Sequence, residues 1–426
     1  MDQGNTTFLL VSAALVLLMT PGLAFFYGGL VKAKSVISMM MMSFGAIGLI
    51  GVLWVVYGYA IAFANPGTAT YFGIDGFFGI DTAYIGLQGL LEVPEGSAYP
   101  PLAFVAFQAM FAILTVALIS GAIADRAKFG AWLIFAGIWA TIVYFPVASW
   151  VFNFSLAEDG SFASGGWLTY GLQNIFGTGV IDFAGGTAVH INAGAAALAL
   201  AIVLGKRVGF AKGAHVPHNP PFVLLGAGLL WFGWFGFNAG SELAADGVAA
   251  LAFVNTLAAP AAALLAWLVV EKVRDGKPTS IGAASGAVAG LVAITPACAS
   301  LTPLMAILLG IFAGTLCALA IDLKFKFGFD DSLDVVGIHL VGGLIGTLFL
   351  GFFANNTGLV SSGSLNQLTV QAIAAFTVAI FSFVLAYVIG LAIEKTIGFR
   401  IKNEDEIAGI DTIVHGEEGY VLADAK

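Results

Sequence analysis

SMMMMSFGAIGLIGVLWVVYGYAIAFA, residues 38–64, runs without a single charge. Wound as a helix at 1.5 Å per residue, it reaches about 40 Å, more than the roughly 30 Å hydrocarbon core of a bilayer. Comparable apolar stretches recur near 7–31, 102–124, 130–152, 185–204, 222–241, 247–270, 281–297, 302–321, 335–354 and 368–393, with short polar breaks between them. The expected fold is therefore an all-α polytopic membrane protein of eleven transmembrane helices. A content of 59% hydrophobic and 10% charged residues over 426 positions excludes an ordinary soluble globular domain.

The first stretch has Asp2 as its only early charge and no basic segment before its apolar run, so it reads as a retained span and not as a signal peptide. Cys298 and Cys317 fall in or beside expected spans and suggest no disulfide framework.

All 16 Lys and Arg residues follow odd-numbered spans. Lys32 and Lys34 follow span 1; Arg126 and Lys128, span 3; Lys206, Arg207 and Lys212, span 5. Lys272, Arg274 and Lys277 follow span 7, Lys324 and Lys326 span 9, and Lys395, Arg400, Lys402 and Lys426 span 11. Basic loops stay in the cytoplasm, which predicts a plasma-membrane protein with its N-terminus outside and its C-terminus inside. The alternate loops hold Asp75, Asp81, Glu92, Glu95, Glu158, Asp159, Glu242 and Asp246 instead. Such an acidic face concentrates cations near an entrance. It equally suits soluble loops that merely avoid basic residues, and charge alone does not choose between these readings.

Glycines at small-xxx-small spacing mark close helix contacts: Gly236 with Gly240, Gly286 with Gly290, Gly310 with Gly314 and Gly342 with Gly346. No strand precedes a glycine loop, which argues against nucleotide binding. Residues 188–194 (AVHINAG) and 337–343 (GIHLVGG) resemble each other weakly, each placing one His near mid-span. Spans 1–5 and 6–10 then form halves, about 1–204 and 222–354. An odd repeat length inverts the second half relative to the first, giving an inverted 5+5 repeat with the substrate route at its interface. Helix 11, about 368–393, is peripheral, and completes a transmembrane domain over 1–395. Residues 396–426 form a C-terminal tail.

His190 and His339 are the two mid-span histidines. A lone buried imidazole usually satisfies itself on neighbouring backbone. Two at matching places in inverted halves instead offer a donor and an acceptor nitrogen to a small solute in an apolar lumen. Two His without a third ligand fill too few positions for zinc, so neither a metal site nor a cofactor is expected. Aromatic residues cluster at 107–111 (FQAMF) and 231–238 (WFGWFGFN). Rings there serve either as cation–π partners or as ordinary lipid-facing and interfacial anchors.

Three motifs, DFAGGTAVHIN at 182–192, GWFGFNAGS at 233–241 and DSLDVVGIH at 331–339, closely resemble the Amt/Mep/Rh ammonium transporter family on its bacterial and archaeal side. The likeness extends over nearly the whole chain. It implies ammonium or ammonia as substrate, with methylammonium as analogue, and a homotrimer whose subunits each hold a pore. It also implies a PII-type signalling protein as a possible cytoplasmic partner, and neither enzymatic chemistry nor nucleic acid. Carried over by position, Ser241, Phe111, Asp182 and an aromatic ending span 4 form the outer recruitment site. Phe111 and Phe237 form the gate. His190 and His339 are the pore imidazoles, and Trp234, Leu23, Phe26, Tyr27, Thr295 and Val335 are pore-wall positions. The chain departs from the family at 149–152, SWVF, where many relatives close the motif with Trp, so Phe152 and Trp150 compete for that role. Residues 153–181 also form a longer segment than compact relatives carry, which would reshape the vestibule. The alternative function is an ammonium sensor of the same fold. An intramembrane hydrolase is disfavoured, because neither HExxH nor GxSxG occurs.

Overall fold

The computed structural model describes residues 1–64, 76–157, 160–210 and 216–420. Asp75, Glu158, Asp159, Lys212, His215 and Lys426 lie outside the described residues. Among the described residues, ten helices are long and apolar enough to cross a membrane. They are span 1 (Gln3–Leu30), span 2 (Ala33–Ala62), span 3 (Pro101–Ile123), span 4 (Phe129–Phe152), span 5 (Gly186–Leu204), span 6 (Pro220–Glu242), span 7 (Gly247–Arg274), span 9 (Pro303–Phe327), span 10 (Val336–Phe353) and span 11 (Asn366–Thr396). A shorter apolar helix, Ser280–Ile294, occupies the place of span 8.

Several helices run past the apolar stretch that announces them, because polar residues cap them. Asp2 accepts the Asn5 N–H at span 1, Asp246 accepts those of Val248 and Ala249 at span 7, and Thr279 accepts that of Gly282 at span 8. Span 7 continues through Glu271, Lys272 and Arg274, with the cations at its C-terminal end, where the helix dipole favours them.

Glycine sets how closely the helices approach. A Cβ on Gly310 or Gly314 of span 9 would lie 2.2 or 2.1 Å from the carbonyl oxygens of Ala259 and Ala263 in span 7. Gly286 and Gly290 of span 8 press on the same stretch of span 7 from another side, Gly346 of span 10 sits on Ala293, and Gly236 and Gly240 of span 6 sit on Ser12 of span 1. With no hydrophobic drive between helices in lipid, this backbone-to-backbone packing supplies the cohesion.

Two crossings carry the inverted symmetry. Gly22 of span 1 meets Leu230 of span 6 while Gly226 meets Phe26. Gly194 of span 5 meets Leu340 of span 10 while Gly343 meets Ile191. In each pair a step of one turn up one helix is a step down the other, the signature of antiparallel helices related by a two-fold axis. Each His therefore has the same neighbourhood: the residue after it touches the glycine four residues beyond the other His. Span 11 packs against spans 5 and 10 from outside.

On the acidic side, a two-stranded hairpin follows span 4: β1 (Phe154–Leu156) pairs antiparallel with β2 (Phe162–Gly165). On the basic side the tail folds back onto the helices. Arg207 bonds Asp330 and Asp125 at 2.9 and 3.1 Å, Arg400 bonds Glu406 at 2.9 Å, and the Asp411 carboxylate accepts the N–H groups of Ile37 and Ser38 at 3.0 and 2.7 Å. Tyr420 donates to His218, whose other ring nitrogen bonds the Val31 carbonyl.

Candidate functional site

Beneath the hairpin lies a vestibule of about 390 Å³. Phe104, Gln108, Phe111, Phe152, Asp182, Phe183, Ser241 and Glu242 line it, together with Phe154, Leu156 and Phe162 of the hairpin. The Ser241 hydroxyl donates to the Phe237 carbonyl at 2.8 Å. Its proton is thereby committed, and its oxygen faces the cavity as an acceptor, the polarity a cation needs.

Of the two aromatic residues that end span 4, Phe152 lines the cavity and stands 6.4 Å from Phe111, centroid to centroid. Trp150 turns the other way. It is buried among Phe77, Trp167 and Phe381, and its indole N–H donates to the Phe77 carbonyl. They stand two positions apart on a helix, so their side chains diverge.

Phe111 and Phe237 stack at 4.2 Å on the floor of the vestibule. Beyond them come the imidazoles. Phe237 is 6.2 Å from the His190 ring, Trp234 is 5.4 Å from it and nearly parallel, and His190 and His339 lie 5.3 Å apart, tilted by 18°. Their Nδ1 atoms approach to 3.2 Å. One Nδ1 carries a proton and the other accepts it, so the pair leaves one bare and one protonated Nε2. Among the described residues, the Nε2 of His190 is buried without a partner.

The aspartates explain why the imidazoles meet. Asp182 accepts the N–H groups of Gly185, Thr187 and Ala188 at 3.2, 3.0 and 2.9 Å, capping the π-helical turn Gly186–Ile191 that carries His190. Asp331 accepts those of Val335 and Val336 at 3.1 and 2.7 Å, at the head of the π-helical turn Val336–Leu340 that carries His339. Each carboxylate sits eight residues before its His. Gly185, at φ +114°, lets the chain turn into span 5 in a conformation few other residues adopt.

Further along, Trp234 donates to Thr295 at 2.8 Å, and Thr295 in turn to the Leu291 carbonyl. Leu23, Phe26, Tyr27 and Val335 are buried in one apolar cluster with Trp234 and Phe237. Tyr27 bonds the Leu118 carbonyl at 3.0 Å, and its ring and Val335 flank Gly121 from within 3 Å of where a Cβ would stand. Among the described residues, no third His, Cys, Asp or Glu joins the imidazoles to complete a metal set.

Sequence reasoning missed the hairpin phenylalanines, Phe104 and the capping by Asp331. A signal for the hairpin existed: alternating Phe154-Ser155-Leu156, then Asp159-Gly160, then Phe162-Ala163-Ser164. Asp331 and Asp182 stand at equal offsets from the two histidines, a second signal.

The model of the Ammonium Transporter Family matches residues 7–420. An ammonium transporter of Mycobacterium tuberculosis H37Rv is 54% identical over 449 aligned residues, spanning 100% of this chain and 92% of that protein. The ammonium transporter of Bacillus subtilis 168 is 43% identical, spanning 99% of each chain. Among solved structures, a sensor Amt protein superposes with a TM-score of 0.86 at 28% identity over 97% of this chain and 98% of that one. Mep2 of Candida albicans does so with 0.82 at 30% identity over 95% and 88%. A match over nearly the whole length, joined to paired imidazoles under stacked phenylalanines, establishes that the chain belongs to the ammonium transporter family.

Proposed function

We propose that this ammonium transporter selects its substrate by removing a proton at the mouth and passing neutral ammonia through the bundle. The observation that carries the reading is the 3.2 Å Nδ1–Nδ1 contact of His190 and His339, directly beyond the Phe111–Phe237 stack. Ammonium and potassium share charge and approximate size. Moving either bare ion into an apolar interior costs on the order of 20 kcal/mol in the Born limit. Ammonium escapes that cost by deprotonation, and potassium has no such route.

At the mouth, Phe111 and Phe152 each contribute about 0.5 to 2 kcal/mol of cation–π attraction, and Ser241 supplies the acceptor. Asp182 acts through position: its oxygens are occupied by backbone N–H groups, which hold the start of span 5 against the vestibule. Trp150 supports Phe152 from behind and does not contact the substrate. Once neutral, ammonia crosses the gate and bonds the unpaired Nε2 of His190, which offsets part of the roughly 2 to 7 kcal/mol lost by a polar group that leaves water unpartnered. Leu23, Phe26, Tyr27, Thr295 and Val335 complete the wall. In this reading the acidic mouth faces out, the tail faces the cytoplasm of a plasma-membrane protein, three copies form a homotrimer, and a PII-type protein docks on the basic face.

Proteoliposomes loaded for labelled methylammonium uptake, with current recorded at the same time, test the pathway. Wild type takes up the label. His190→Ala with His339→Ala either abolishes uptake or turns it into ion current. Undiminished, unaltered transport in both single variants removes the imidazoles from the mechanism. Binding of ammonium without uptake would favour the sensor.

A further inference from the structure

Resting on the reading of the vestibule as the ammonium entrance, we infer that it is also a binding site for bulky alkylammonium cations, quaternary ones above all, and that the β1–β2 hairpin builds its outer wall. Size gives the first argument. The cavity of about 390 Å³ falls in the range of about 300 to 1,000 Å³ typical of small-molecule sites. A solute the size of water occupies about 30 Å³, so ammonium alone leaves most of the space unused.

Chemistry gives the second. Phe111 and Phe152 on the helix side face Phe154 and Phe162 on the hairpin side, with the half-buried Glu242 and the acceptor oxygen of Ser241 at the rim. A cage of aromatic rings with a nearby carboxyl group recognises alkylated ammonium, whose charge is spread over methyl or methylene groups that pack on ring faces. A quaternary cation has no N–H to lose. It cannot follow ammonium through a step that requires deprotonation, and it stays at the mouth as a blocker.

The hairpin is built for this placement. On β1, period-two alternation puts Phe154 and Leu156 on one face and Ser155, which bonds Ser164, on the other; a register shift between Ser155 and Leu156 then pairs Leu156 with Phe162, and Phe154, Leu156 and Phe162 all line the cavity. The side-chain amide of Gln173 clamps the Phe162 backbone through both its N–H and its carbonyl, at 3.0 and 2.9 Å. Gly179 leaves room for the ring, since a Cβ there would lie 2.5 Å from it. Phe154 packs edge-on against Phe162 at 5.0 Å.

Tetraethylammonium and tetramethylammonium serve as probes, with binding to the purified full-length protein measured by calorimetry and inhibition of methylammonium uptake measured in proteoliposomes. Both are expected to bind saturably and to inhibit competitively. Phe154→Leu with Phe162→Leu keeps apolar bulk and removes both rings. It should weaken tetraethylammonium binding about tenfold, the worth of two exposed ring contacts, and Gln173→Ala should weaken it in the same direction. A neutral isostere with carbon in place of the nitrogen should not bind. Saturable uptake of methylammonium by wild type without quaternary binding overturns this inference and leaves the transport reading intact. Quaternary binding without methylammonium uptake does the reverse. Equal affinity in the double Leu variant, or equal binding of the isostere, overturns the aromatic cage.

Discussion

Asp331 and Asp182 are buried carboxylates whose oxygens are consumed by backbone N–H groups, and each holds a histidine-bearing turn. Asp331→Ala would strand two donors at the head of span 10 and is expected to destabilise by about 1 to 3 kcal/mol. The lowered melting temperature of the detergent-solubilised protein would report it, and Asp331→Asn, which retains one acceptor oxygen, should recover part of the loss. On the basic face, Asp330 has a pH signature. Burial pushes its carboxyl up, but the hydrogen bonds and charge of Arg207, with Arg126 nearby, overcome burial and hold it below its ordinary value. A depressed folded value means the contribution is present above the unfolded value, about pH 4, and is lost as pH falls through the folded one. Asp330→Asn leaves the Arg207 guanidinium buried with one partner fewer. We expect a loss of about 3 to 5 kcal/mol at neutral pH, with the gap to wild type narrowing below about pH 4 in thermal unfolding series.

Helix crossings respond to volume where residues respond to charge. A Cβ on Gly226 would stand 2.2 Å from the Phe26 nitrogen, backbone against backbone, so Gly226→Leu should prevent spans 1 and 6 from crossing. Its neighbour Gly228 has nothing within 4 Å, and Gly228→Ala should be neutral or stabilising by about 0.5 to 1 kcal/mol. Size-exclusion profiles of the two tagged variants would separate the cases: loss of the monodisperse peak in the first, none in the second. At the tail, Asp411→Ala withdraws the acceptor from the first N–H groups of the helical run in span 2. Amide exchange should accelerate at Ile37 and Ser38, and unchanged protection there would show that the tail does not cap this helix.

At the scale of the molecule, all described Lys and Arg residues lie on one side and the vestibule opens on the other, so orientation is directly testable. Cys298 and Cys317 are buried and free, so an introduced thiol is the reactive one. Ser97→Cys on the acidic side should label with a membrane-impermeant maleimide in intact cells, and Glu417→Cys on the tail only after permeabilisation. The opposite pattern would invert the proposed topology.

Much of this was legible in the residues. Lipid demands long uncharged runs and internally satisfied backbone, which made ten spans and the shorter eighth readable from hydropathy. The small-xxx-small spacing announced the glycine contacts, and the matched His segments announced the inverted halves. What the order of residues left open was which side chains face each other. Phe152 and Trp150 are equally aromatic in sequence, and the turn of the helix alone put one at the vestibule and the other among Phe77, Trp167 and Phe381. The pairing of Asp331 with the His339 turn and the clamp of Gln173 on the hairpin are hydrogen bonds, and the phenylalanine wall is a set of contacts made across the cavity. Local propensity has no term for partners brought together from distant segments, so these features appear only once the helices have packed.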